Sequence, residues 1–209
     1  MGMETTKIMI NSNGKGMETA LDEVEYFSRE MGFDERSVRR TRLLAEETMS
    51  MVRAVVEEFV AKFWMESQDD CNCILHLLAT SPMNYQKKQE LIATSSRQRN
   101  EASVGIMGKI QDFIEDSIYS MENDSQVLAG NPEIMSLGGV TLAIDGYMWT
   151  LDKYREDLGQ AADGEDADIE AALDELEKSI VANIADDIRV YVKGNNIEMI
   201  IRKNFPSSC

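Results

Sequence analysis

Near the end of the chain, two alternating runs, Ile188–Val192 and Ile197–Arg202, flank the turn formers Gly194-Asn-Asn196. A period of two around a Gly/Asn turn is the pattern of a β-hairpin. Such a hairpin presents one apolar face, and that face needs a second layer to cover it. The rest of the chain supplies helices for that layer. From Met17 to Met31, the residues Ala20, Leu21, Val24, Phe27 and Met31 follow the three-and-four spacing of an amphipathic helix, stopped by Gly32. Asp34 then caps a longer helix, predicted from about Glu35 to the region of Val60, with a stripe of Val38, Leu44, Met51, Val55 and Phe59.

The remaining segments fit the same two-layer plan. Thr6–Asn11 alternates at Ile8 and Ile10 and runs into Asn11-Ser-Asn-Gly-Lys-Gly16, so a strand leads into a turn. Ala61–Glu66 and Cys71–Ala79 read as a second hairpin around Ser67-Gln-Asp-Asp70. Asn84–Thr94 is expected to form a short helix before the polar loop Ser95–Asn100, and Ala102–Met121 another helix. Asn123–Gly139 reads as irregular, Val140–Leu158 as a strand or extended start followed by a helix, Ala161–Asp168 as an acidic loop and Ile169–Ala185 as one helix. The expected fold class is α+β, a two-layer sandwich of helices on one face of a mixed β-sheet, in a single domain spanning 1–209.

Charge narrows the partners. Lys and Arg number 21 against 38 Asp and Glu, a formal charge of −17, so the overall field repels phosphate backbones and anionic lipid. Neither nucleic acid nor a membrane is an expected partner, and no apolar run approaches the roughly 18 residues that cross a bilayer. The acids concentrate between Asp152 and Asp187, where 13 face only Lys153, Arg155 and Lys178. Three cysteines, Cys71, Cys73 and Cys209, form no even disulfide set, which points to a reducing, cytoplasmic location. His76 is the only histidine, so a His-based acid–base pair or multi-histidine metal site is excluded by count.

The order of strand, turn, helix, Met31-Gly32-Phe33-Asp34 and a long helix with Leu43-Leu-Ala-Glu-Glu-Thr-Met-Ser-Met51 resembles the N-terminal half of anti-sigma-factor kinases. Those belong to the GHKL superfamily of histidine-kinase-like ATPases. Ile180-Val-Ala-Asn-Ile-Ala-Asp-Asp-Ile188, with the hairpin that follows, is similar to the same family's closing helix and strands. The resemblance covers roughly the first 80 and last 40 residues, leaving about 85–177 as a lid and helical insertion without a counterpart.

The resemblance implies ATP with Mg²⁺ as ligand, a regulatory role, a protein partner of the anti-sigma kind and a homodimer. In the family the long helix carries a glutamate that positions water and, four residues on, an asparagine that holds Mg²⁺. Glu47 matches the glutamate, but Met51 stands at the asparagine position, and a thioether is no ligand for a hard cation. In the shifted register, Glu46 and Ser50 take those places. The adenine-binding Asp-x-Gly-x-Gly is replaced by Ala79-Thr-Ser-Pro-Met-Asn84, leaving Asn84 as an amide that can face a base. Phosphate contacts fall to Gly105, Gly108 and Lys109 in Ser103-Val-Gly-Ile-Met-Gly-Lys109, with the basic pair Arg97 and Arg99 beside them. No metal ligand is assigned. These replacements imply a pseudoenzyme that keeps ATP, or alternatively a nucleotide-free scaffold that binds a protein.

Overall fold

A computed structural model describes residues 2–56, 58–67, 71–80, 106, 108–110, 112–114, 117, 140–143, 146–161, 167–193 and 195–205. The strands are β1 (Met3–Glu4), β2 (Ile8–Asn11), β3 (Val60–Ser67), β4 (Asn72–Thr80), β5 (Val140–Ala143), β6 (Gly146–Thr150), β7 (Asp187–Lys193) and β8 (Asn196–Asn204). The helices are α1 (Met17–Glu30), α2 (Glu35–Val55), α3 (Leu151–Ala161), α4 (Ala167–Lys178) and α5 (Ile180–Ile184). Residues 106, 108–110, 112–114 and 117 are also helical.

All eight strands join one sheet in the order β1-β3-β4-β8-β7-β6-β5, with β2 beside β1 on the outer side of β3. Every described pairing is antiparallel, which corrects the expected mixed sheet. The physical reason lies in the connections. Three of the pairs, β3–β4, β5–β6 and β7–β8, are hairpins, and a tight turn can only reverse the chain. The pairing that holds the fold together is β4 with β8, nine residues in register from Asn72↔Asn204 to Thr80↔Asn196. It places the C-terminal hairpin beside the N-terminal one.

Pleating sends alternate residues into the core. Ala61, Phe63 and Met65 on β3, Cys73, Leu75, Leu77 and Ala79 on β4, Ile188, Val190 and Val192 on β7, and Ile197, Met199 and Ile201 on β8 are buried. They form one cluster with Ala20, Leu21, Val24 and Phe27 of α1, Val38, Leu44, Met51 and Val52 of α2, and the helical Ile106, Ile110, Phe113 and Ile114. Burying a side chain of this size stabilises by roughly 1.5–3 kcal/mol. Thr41 and Thr48 lie on the same buried stripe of α2, and their hydroxyls donate to the carbonyls of Ser37 and Leu44, four residues back.

Both helix boundaries read from Gly32 and Asp34 are met. Gly32 has φ of 79° just after α1, and the Asp34 carboxylate accepts from the Ser37 backbone N–H at 2.7 Å. That bond holds the Asp34 pKa below the ordinary carboxylate value. A group with a depressed folded pKa contributes stability above its unfolded value and loses it as pH falls through the folded one. Asp34→Ala should therefore lower the melting temperature at neutral pH, and acidification through the carboxylate range should close the gap to the native chain. Thermal melts followed by circular dichroism at several pH values check this.

Three expectations are corrected. Helix α2 ends at Val55, and Val56 is already extended, with φ of −122° and ψ of 110°. Phe59 is buried but precedes β3, because the β-branched Val55-Val56 pair disfavours a further turn. The helix expected over Ile169–Ala185 is two, α4 and α5, broken where Ser179 leaves helical geometry and its hydroxyl accepts from the Ala182 N–H. Cys71 is disulfide-bonded, whereas three unpaired thiols were expected. The expected helix over Asn84–Thr94 and the irregular stretch Asn123–Gly139 lie outside the described residues. No helix among the described residues is long and apolar enough to cross a membrane.

Candidate functional site

Helix α2 lies against β4, β8 and α5, with α1 packed along its flank. Arg42 fixes that flank, reaching Glu18 at 3.0 Å, Asp22 at 3.5 Å and Glu25 at 2.9 Å on α1. Its guanidinium is held above its usual pKa by these carboxylates, against the opposing effect of burial. The inner stripe of α2 is thereby held against the sheet, and its outer stripe carries Arg36, Arg39, Glu46 and Ser50 in solvent.

Between these stripes sits Glu47, half-buried and, among the described residues, without a hydrogen-bond or ion-pair partner. One turn on, Met51 is wholly buried, with no accessible surface. Its thioether is packed into the core cluster, so the metal position of the family pattern is filled by an apolar side chain. The alternative pair, Glu46 and Ser50, faces solvent. Gly108 is buried and Lys109 exposed on the helical residues beyond β4. Asn84, Arg97, Arg99 and Gly105 lie outside the described residues.

Two further chemistries are bounded by the geometry. Burial pushes the Cys73 thiol up to about 12, with a smaller opposing effect from the Thr41 hydroxyl, so it stays protonated and unreactive. His76 points away from the helices, stacked on Trp64 with centroids 4.7 Å apart and planes 1° apart, and its Nε2 lies 3.4 Å from a Glu66 oxygen. Lys7 Nζ sits 4.7 Å over the Trp64 ring. That stack packs on the face of the sheet opposite the one covered by α1 and α2. Among the described residues no group of three histidine, cysteine or acidic side chains could hold a metal ion.

Sequence reasoning overlooked the basic run on α2, Arg36, Arg39, Arg40 and Arg42, although Arg39-Arg40 was visible as a second basic pair. No protein family, curated protein or solved structure matches the chain significantly.

Proposed function

We propose that the chain is a divergent histidine-kinase-like ATPase-domain protein with a regulatory role, binding ATP without efficient catalysis. The observation that carries this reading is the order and adjacency of its elements. Strand β2 is followed by α1 and the long α2, then by the β3–β4 hairpin; the closing α5 and the β7–β8 hairpin return beside β4. These are the elements on which the family resemblance rests. Glu47, half-buried and unpaired among the described residues, supports a polar role on that helix. A cytoplasmic location goes with this reading; the disulfide at Cys71 is the observation that stands against it.

Calorimetry with ATP and ADP, with and without Mg²⁺, tests the proposal. Saturable heat is expected, with little dependence on Mg²⁺, because Met51 supplies no oxygen to the cation. Absence of heat at high protein concentration overturns it.

The buried Met51 favours a second reading, a nucleotide-free scaffold that binds a protein and associates with its own copy. A pull-down from host lysate that returns only the chain itself counts against that reading.

A further inference from the structure

We infer that Cys71 and Cys209 form a reversible redox clasp, opened and closed by a small thiol–disulfide couple, that sets how firmly the end of β8 is seated. The chain has three cysteines. Cys71 is disulfide-bonded, and Cys73 is a free, buried thiol. The remaining cysteine is Cys209, so the bridge falls to Cys71 with Cys209.

The fold brings these two positions within reach. Phe205, just after β8, donates its backbone N–H to the Cys71 carbonyl at 2.7 Å, at the turn that leads into β4. Cys209 follows four residues later. Four residues reach up to roughly 14 Å, ample for the Cα separation of about 4.4–6.8 Å that a disulfide requires.

The contacts around Phe205 show what the bridge holds. Phe205 is 3% exposed, and its ring meets Phe33 edge-on with centroids 5.2 Å apart. Phe33 is itself buried in the link between α1 and α2, where its N–H donates to the Ser28 carbonyl at 3.1 Å. On the other side, the Lys203 ammonium and the Asn204 backbone N–H donate to the Asp186 carboxylate, each at 2.6 Å. The end of β8 thus sits between the start of β4, the residue before β7 and the α1–α2 link. The bridge at Cys71 adds the one bond there that redox chemistry can cut.

The two cysteines near the start of β4 differ in reactivity. Burial pushes the Cys73 thiol up to about 12, so it forms little thiolate and takes no part in exchange. Cys71 is only half-buried. Disulfides that small thiols can reach are the labile ones, and in a reducing compartment they serve sensing. To close the clasp, one cysteine thiolate attacks a low-molecular-weight disulfide, releasing one small thiol and leaving a mixed disulfide. The second cysteine thiolate attacks the mixed disulfide, forms the protein bridge and releases the second small thiol. Two electrons pass from the protein to the small disulfide, and the two cysteine protons end on the released thiols. Opening is the reverse. None of these residues belongs to the nucleotide reading, so either can fail without the other.

The test is to equilibrate the full native chain over a range of oxidised-to-reduced glutathione ratios, then denature it, alkylate the free thiols and map them by mass spectrometry. At oxidising ratios Cys73 alone should be alkylated, beside a Cys71–Cys209 cross-linked peptide. At reducing ratios all three cysteines should be alkylated, and returning the ratio should restore the bridge. The reduced chain should melt about 5 °C or more below the oxidised one, and its Phe205 amide should exchange hydrogen about tenfold faster or more. Cys71→Ser and Cys209→Ser should each match the reduced chain at every ratio. Cys209→Ser alters none of the described contacts, so it carries the test alone if Cys71→Ser does not fold. The inference is overturned if Cys71 cross-links to Cys73 or to a second copy, or if no bridge forms at oxidising ratios. It is equally overturned if the native chain resists reduction at every ratio, or if reduction changes neither the melting temperature nor Phe205 exchange.

Discussion

Met51→Asn, which places at this position the asparagine of the histidine-kinase-like pattern that the sequence resembles, should destabilise the protein by roughly 2–5 kcal/mol and confer no affinity for Mg²⁺. Met51 has no accessible surface and packs within the core cluster that joins α2 to the sheet. An asparagine there loses the burial of a long apolar side chain and takes a primary amide out of water. The hydroxyl of Thr48, one turn back on α2, already donates to the Leu44 carbonyl, so it offers no spare donor to the amide oxygen. Urea denaturation of the two proteins measures the loss, and calorimetry with Mg²⁺ and ATP measures the gain. A variant as stable as the native chain, with new Mg²⁺ affinity, would mean that this position opens to a site. The reading of Met51 as a buried packing position would then be wrong.

What could be read before the fold was seen was what is fixed by near neighbours. The Gly32 stop and the Asp34 cap each depend on a few residues, and both are present. The two hairpins at either end follow from alternation and turn chemistry, and the observed strands differ from the expected bounds by one or two residues. Features set by distant partners were not legible. The sheet's all-antiparallel character depends on β4 choosing β8 across more than a hundred residues, and no local pattern encodes that choice. The break at Ser179 was hidden because apolar spacing continues through it, while the Ser179 hydroxyl caps the second helix instead.

The candidate site divides the same way. Glu47 was singled out only through the resemblance, and the structure places it half-buried on α2. The burial of Met51 is a packing fact that sequence could only suggest. The phosphate and adenine candidates Asn84, Arg97, Arg99 and Gly105 lie outside the described residues.

The second large effect is expected at the junction where β2 gives way to α1. Gly16 precedes the first residue of α1 with φ of 81° and ψ of −11°, a left-handed conformation that costs an L-residue roughly 1–2 kcal/mol. A Cβ at Gly16 would also stand 2.1 Å from the Met9 carbonyl oxygen and 3.2 Å from its carbon, and these are backbone atoms of β2. They cannot turn aside as a side chain would. Met9 is held opposite Lys62 in the β2–β3 pairing, so relief of the clash must move the edge strand or the head of α1. Gly14 is also left-handed, with φ of 85°, yet a Cβ there would meet nothing within 4 Å. Gly14→Ala should therefore show the conformational cost alone, about 1–2 kcal/mol. Gly16→Ala should add the clash and cost at least about 3 kcal/mol, with loss of the native β2–β3 pairing. Denaturant midpoints for the two variants separate the effects, and hydrogen exchange of the Ile10 amide reports on the edge strand. Equal destabilisation by both would show that strain at positive φ, and not the approach of β2 to α1, sets this junction.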